Sequence, residues 1–175
     1  MFNYELENGE YENLEECVKD VYKLASKAAI QGIMMDRGGP FGAGIIYKKD
    51  NGRYIILSIE SNEVLSTNDP TAHAEINAIR KACKMLNTRT LENCILVTTA
   101  RSCPMCLAAS CWANIKTIYY SEDYRQAIMS GFKDNKISEY LKGNESELIE
   151  EKRLIDLSCK EPFELWNSKT DKILY

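Results

Sequence analysis

The sequence has no apolar run long enough to cross a membrane. A spanning helix needs about 18 to 20 consecutive apolar residues, and no stretch of this chain approaches that length. The start of the chain is polar and acidic, whereas a secretory signal has a basic start followed by an apolar run. We therefore expect a cytoplasmic protein without membrane association.

Positive charge is not in excess either. The chain has 26 acidic and 22 basic residues, which gives a net charge of -4. Proteins that bind nucleic-acid phosphates usually carry a basic patch or have a high pI, but lysine and arginine are scattered here among acidic residues. This balance argues against a nucleic-acid partner and favours a small, uncharged substrate.

Internal repeats, low-complexity tracts and flexible linkers are also absent. The 175 residues are 45% hydrophobic and 27% charged, as in an ordinary globular protein. A chain of this length can bury a hydrophobic core. We expect one domain spanning residues 1–175, in which residues 1–12 form a polar N-terminal extension.

Hydrophobic periodicity predicts that helices and strands alternate along the chain. The predicted helices span residues 14–35, 72–86, 104–114 and 123–129, and the predicted strands span residues 41–47, 54–61, 94–98 and 115–121. Asn51-Gly52 predicts a hairpin between the first two strands. After residue 144 come a charged helical stretch, a short strand-like piece and a last helix. We therefore expect a three-layer α/β/α fold, with helices on both faces of a mixed sheet of about five strands.

Histidine occurs only once, as His73 in the sequence His73-Ala74-Glu75. A single histidine near a glutamate is most often structural, and an isolated Cys-x-x-Cys pair is often a redox pair. The combination with Cys103 and Cys106 is more specific, because both pieces lie where a predicted helix begins. Unpaired N–H groups at a helix start stabilise thiolates, and the i, i+3 spacing puts both sulfurs on one side of the first turn.

These residue types point to an open zinc site with one ion per chain. His73, Cys103 and Cys106 supply three ligands, which leaves the fourth tetrahedral position free, as a catalytic site requires. A structural site needs a fourth protein ligand, and there is no second histidine to supply it, which leaves only another cysteine for that role. Glu75 is close enough to His73 to accept and return a proton without binding the metal.

His73-Ala74-Glu75 followed by Cys103-x-x-Cys106 resembles the zinc signature of the cytidine and deoxycytidylate deaminase superfamily. A longer similarity to the bacterial guanine deaminases and their nucleoside deaminase relatives is carried by residues 39–43, 68–80 and 103–107. The resemblance extends from about residue 14 to the C-terminus. It implies a cytidine-deaminase-like fold and the hydrolytic deamination of a purine base, with guanine converted to xanthine and ammonia.

The resemblance also implies roles for residues outside the zinc signature. Asn62 falls where the family uses an asparagine on the purine edge, Asp134 matches a carboxylate that helps move a proton to the ring, and Tyr175 closes the chain as a tyrosine does there. In the family, the C-terminal segment, here about residues 145–175, is exchanged between the subunits of a homodimer. Further candidates for substrate contact are Phe41, Ala74 and Trp112.

One departure from the family pattern leaves other functions open. Arg101-Ser102 stands where Glu-Pro is usual, which reverses a charge near the site and is expected to relax the loop. Alternatives are deaminases of guanosine, cytosine, an aminated triazine or tRNA adenosine. A different class is a catalytically silent zinc-binding or dimerisation module, against which the intact Glu75 argues. A redox Cys-x-x-Cys protein is a further alternative.

Overall fold

A computed structural model describes residues 9–144, 152, 161–168 and 170–171. The helices are α1 (Leu14–Met34), α2 (Val64–Thr67), α3 (Ala74–Leu86), α4 (Pro104–Trp112), α5 (Tyr124–Met129), α6 (Asp134–Leu141) and α7 (Glu161–Ser168). The strands are β1 (Gly42–Lys48), β2 (Tyr54–Ser61), β3 (Cys94–Ala100) and β4 (Thr117–Glu122). None of the helices in these ranges has the length and apolar content that a membrane crossing requires.

The strands form one mixed, 4-stranded sheet in the order β2-β1-β3-β4. β1 is antiparallel to β2 and to β3, whereas β3 and β4 are parallel. The predicted hairpin between β1 and β2 is confirmed, and Gly52 has the positive φ of 81° that its turn needs. The strand-like piece expected after residue 144 lies outside the described residues.

Helices cover both faces of this sheet. On one face, α1 packs in an apolar cluster that contains Val21 and Ile46. On the other face, α3 packs in a cluster that contains Ala78 and Ile45. The two neighbouring isoleucines of β1 point in opposite directions because strand side chains alternate, and burying each contributes about 1.5 to 3 kcal/mol. The predicted three-layer α/β/α architecture is confirmed.

Two short helices, α2 and α6, are not predicted from the sequence. α2 spans 4 residues, which is barely one turn and too short to show a helical period. α6 spans 8 residues and has no fully buried side chain, and about two turns offer too few positions to establish a helical period. α6 matters for the site, because it begins at Asp134.

Residues that precede α1 pair with the edge strand β2. Tyr11 and Tyr54 exchange two backbone hydrogen bonds of 2.9 Å, and Arg53 forms an ion pair with Glu12 at 2.7 Å. An edge strand leaves backbone donors and acceptors unpaired. The described end of the predicted N-terminal extension therefore covers part of that edge.

Candidate active site

The candidate site forms where α3 and α4 begin. His73 is the N-cap of α3 and Cys103 is the N-cap of α4, and both have an extended backbone, with φ of -68° and -69°. Neither side chain caps its own helix, so both are available to a ligand. Pro104 occupies the first turn of α4, where its missing N–H costs little. The apolar pattern predicts that α3 begins at residue 72. In the structure the helix begins at Ala74, directly after the extended His73.

His73, Cys103 and Cys106, hereafter the triad, bring three ligand atoms together. His73 Nδ1 lies 3.6 Å from each sulfur, and the two sulfurs are 3.6 Å apart. A tetrahedral zinc ion with Zn–S of about 2.3 Å and Zn–N of about 2.0 Å requires S–S of about 3.8 Å and S–N of about 3.5 Å. The triad therefore fits zinc. Among the described residues no other cysteine or carboxylate joins this group, so one tetrahedral direction is left for a non-protein ligand.

Hydrogen bonding within the triad changes the pKa of all three groups. A hydrogen bond with Cys106 lowers the pKa of Cys103 to about 4, and the same interaction raises the pKa of Cys106. The hydrogen bond to Cys103 raises the pKa of His73. The pair therefore favours the thiolate form of Cys103. Because a metal binds thiolates and neutral imidazole, its binding releases the protons that remain.

Glu75 lies in the first turn of α3, close to the triad but not in its group of ligand atoms. Only 6% of its surface is exposed. Burial raises the pKa of its carboxyl group, because the charged form loses its hydration. A raised pKa brings a carboxyl closer to the range in which it can both accept and donate a proton at neutral pH.

A cavity of about 330 Å³ opens onto His73 and Cys103 of the triad, and this volume is within the range of small-molecule sites. Its lining residues are Gly38, Gly39, Phe41, Asn62, Val64, Leu65, Pro70, His73, Glu75, Arg101, Cys103, Phe132 and Asp134. Of the predicted substrate contacts, Phe41 and Asn62 line this cavity. The predicted proton carriers Glu75 and Asp134 line it as well.

Asn62 is held in one orientation. Its side-chain oxygen accepts hydrogen bonds from the backbone N–H groups of Gly39 and Val64, both at 3.2 Å. Gly38 passes so close that a Cβ there would lie 2.1 Å from the same oxygen, so only glycine permits this approach. Because the oxygen is occupied, the amide nitrogen is the group that Asn62 offers to a ligand.

An aromatic pair forms one wall of the cavity. The rings of Phe41 and Phe132 meet edge to face, with centroids 4.7 Å apart and an interplanar angle of 77°, an arrangement that aromatic rings favour. Sequence analysis did not identify Phe132, which lies outside any periodic element. Its only signal is its position two residues before Asp134.

Asp134 is the first residue of α6. Its carboxyl is about half buried, and this burial raises its pKa. The Cys103 thiolate also raises the pKa of Asp134, whereas the imidazole of His73 lowers it. The start of α6 therefore brings a second carboxyl, with a raised pKa, to the cavity that Glu75 lines.

The other predicted contacts lie elsewhere. Ala74 is fully buried in the apolar cluster between α3 and the sheet. Trp112, at the end of α4, is 73% exposed and lines a separate surface depression together with Arg89. Tyr175 lies outside the described residues, so its proposed role stays a prediction.

The loop that carries Arg101 and Ser102 into α4 is anchored at two points. The hydroxyl of Tyr124 donates a hydrogen bond of 2.9 Å to the Ser102 carbonyl. The Arg101 backbone N–H donates one of 2.7 Å to the Glu122 carbonyl. The absence of the family's proline predicts a relaxed loop. These two hydrogen bonds hold the loop in place instead.

Comparison with known proteins agrees with this geometry. The family model of the cytidine and deoxycytidylate deaminase zinc-binding region matches residues 15–122, which include the triad and Glu75. Guanine deaminase of Bacillus subtilis (strain 168) is 40% identical over 154 residues, covering 87% of this chain and 96% of that protein. The X-ray structure of guanine deaminase from Bacillus subtilis matches with a TM-score of 0.79 at 36% identity, covering 90% of this chain and 98% of that chain.

The tRNA-specific adenosine deaminases form a second group of relatives, which are less similar or match over a shorter range. The tRNA-specific adenosine deaminase of Aquifex aeolicus (strain VF5) is 40% identical over 82 residues, which are 47% of this chain and 51% of that protein. The fold, the zinc-fitting triad and the family model all lead to one assignment. The chain belongs to the cytidine and deoxycytidylate deaminase family, as a zinc-dependent aminohydrolase.

Proposed function

We propose that this enzyme hydrolyses guanine to xanthine and ammonia. The observation that carries the proposal is a single cavity in which the oriented amide of Asn62 and the aromatic pair face the triad and Glu75. Aromatic walls with a few placed polar groups suit a planar base. Similarity to guanine deaminase along 87% of the chain supports guanine over the other substrates.

Glu75 would carry both protons of the reaction. Zinc held by the triad would lower the pKa of water towards about 7 and so supply a hydroxide nucleophile. Glu75 takes the proton that this water loses and delivers it to the ring nitrogen beside the amino-bearing carbon, where the new C–O bond forms. It then moves the proton of the new hydroxyl to the amino group. The C–N bond breaks, ammonia leaves and the carbonyl of xanthine remains.

Other residues of the cavity would hold the base and assist this proton transfer. The amide nitrogen of Asn62 donates to an acceptor of the base, and Phe41 and Phe132 pack against the base and exclude water. Asp134, whose pKa burial raises, is suited to carry a proton towards the ring. Each of these roles is a proposal about a residue that lines the cavity.

We expect kcat/KM for guanine to exceed that for guanosine, cytosine, an aminated triazine and adenosine in tRNA by at least about tenfold. A pyrimidine or triazine fills less of the cavity, and the similarity to guanine deaminase favours the free base over its riboside. Ammonia release from each compound, with xanthine identified as the product of guanine, measures this ratio. If a folded, zinc-loaded enzyme leaves guanine unchanged, the substrate assignment is wrong.

We also propose a homodimer in which residues 145–175 of one chain close over the site of the other. In support, α7 exposes Phe163 and Leu165 by 71% and 68%. Burial of each such side chain against a partner would gain about 1.5 to 3 kcal/mol. Trp112 is exposed to a similar extent and would also gain from a partner.

Because all of the described cysteines are free, a reducing compartment such as the cytoplasm suits the protein. An enzyme that hydrolyses guanine would have a role in purine metabolism.

Deletion of residues 172–175 tests this closure. We expect kcat/KM for guanine to fall by at least about tenfold, because water then enters the site. The zinc content should not change, since the triad lies elsewhere in the chain. The dimer should persist, because most of the proposed exchanged segment remains. Tyr175→Ala alone should cause a large part of the loss, and Tyr175→Phe a smaller part. Unchanged activity in the Tyr175→Ala variant would contradict an active-site role for this residue.

A further inference from the structure

Arg101 stands at the mouth of the cavity with its guanidinium fixed in place. The side chain is exposed, and it contributes to the lining of the cavity. Its guanidinium carbon lies 4.8 Å from the ring centroid of Tyr124 and 5.9 Å from that of Tyr120, distances at which a cation is attracted to an aromatic face. The backbone hydrogen bond to Glu122 fixes the base of this side chain. The charge is therefore already positioned before a substrate arrives.

The hydrogen-bond donors of this guanidinium are available to a ligand. Arg101 is in none of the ion pairs found among the described residues, and no hydrogen bond joins its guanidinium to another of these residues. Arginine has five N–H donors in a planar fork and no acceptor. The fork therefore favours two adjacent acceptors on a substrate.

Guanine has one edge that meets this requirement. When its amino-bearing carbon faces the triad and Glu75, the carbonyl oxygen O6 and the ring nitrogen N7 lie on another edge and are both acceptors. We propose that Arg101 determines specificity by donating two hydrogen bonds to this O6/N7 edge. The inference rests on the proposed function, because it takes a 6-oxopurine as the substrate.

Two variants, Arg101→Gln and Arg101→Ala, test the contact. Arg101→Gln replaces a double donor by a donor–acceptor pair, and glutamine recognises N7 together with a 6-amino group. We expect this variant to lose about 10- to 100-fold in kcat/KM for guanine, mainly through KM. For 2,6-diaminopurine, which has an amino group in place of O6, kcat/KM should fall by less than about threefold or rise. Arg101→Ala should lower kcat/KM for guanine to a similar extent and kcat/KM for 2,6-diaminopurine by less, which reduces the preference for guanine without the gain for the 6-amino purine that glutamine allows.

A guanine analogue supplies a second measurement. In 7-deazaguanine the N7 acceptor is missing, so wild-type enzyme should use it about 10- to 100-fold less well than guanine, and Arg101→Ala should reduce that ratio to below about threefold. Arg125→Gln is the matched control, because Arg125 is exposed, pairs with Asp123 and does not line the cavity. It should leave every ratio unchanged. Products are separated by chromatography, and zinc content verifies that each variant is folded.

The results separate this inference from the function on which it rests. Equal losses for all three purines in both Arg101 variants, or no loss in either, would overturn the specificity role. Deamination of guanine by the wild-type enzyme would still stand in both cases. A wild-type enzyme that releases ammonia from none of these purines would instead overturn the proposed function, and the inference with it.

Discussion

Glu75→Gln is expected to lower kcat/KM for guanine by about 10²- to 10⁴-fold while the zinc content stays at one ion per chain. Glutamine has nearly the same shape as glutamate but cannot take up and return a proton. Glu75 is almost completely buried, so bulk water does not take the place of the missing carboxyl. Ammonia release gives the activity, and metal analysis of the same sample gives the zinc content.

Glu92→Gln is the matched control for this experiment. Glu92 is exposed and does not line the cavity, so the same chemical change there should leave kcat/KM within about twofold, as expected of most surface substitutions. Full activity of a zinc-loaded Glu75→Gln variant would show that another group moves the protons. Loss of zinc in that variant would assign Glu75 to the metal site instead.

The layers of the fold could be predicted because the information is local. Residues 14–35 and 72–86 show apolar stripes of helical period, and the strand segments are short apolar runs with turn residues between them. The order of the strands in the sheet could not be predicted in this way. β1 lies between β2 and β3, and this placement depends on how the helices cross the sheet, which no local pattern records.

The same distinction separates the predicted site residues from the others. The triad and Glu75 lie in two short motifs at helix starts, so their spacing alone indicates that they share a site. Phe132 comes from a segment more than 25 residues beyond the second motif, and it reaches the cavity through tertiary packing.

The wall formed by Gly38 and Leu65 also depends on tertiary contacts. The Arg37 carbonyl accepts hydrogen bonds from the backbone N–H groups of Leu65 and Ser66, at 3.0 and 3.1 Å, which joins two loops that are distant in sequence. Trp112 illustrates the converse case. It follows the zinc cysteines on the same helix, but a helix turns by about 100° per residue, so proximity in sequence did not place it in the cavity.

Cys106→Ser is expected to remove most of the bound zinc and to lower kcat/KM for guanine by at least about 10³-fold. Cys106 is fully buried, and its sulfur lies 3.6 Å from both Cys103 Sγ and His73 Nδ1. Serine fits the same space, but its hydroxyl does not ionise near neutral pH and is a poor zinc ligand. Because metal binding contributes to the free energy of folding, Tm should fall as well. Metal analysis, ammonia release and thermal unfolding measure the three effects.

Cys111→Ser provides the matched control on the same helix. Cys111 is an exposed free thiol of α4 and is not part of the triad. Its replacement should leave zinc content and kcat/KM unchanged, and stability within about 0.5 kcal/mol. Treatment of the wild-type enzyme with a chelator should reproduce the loss seen in Cys106→Ser, and added zinc should restore only the wild-type protein. A Cys106→Ser variant that keeps one tightly bound zinc ion and full activity would show that the triad is not the catalytic metal site.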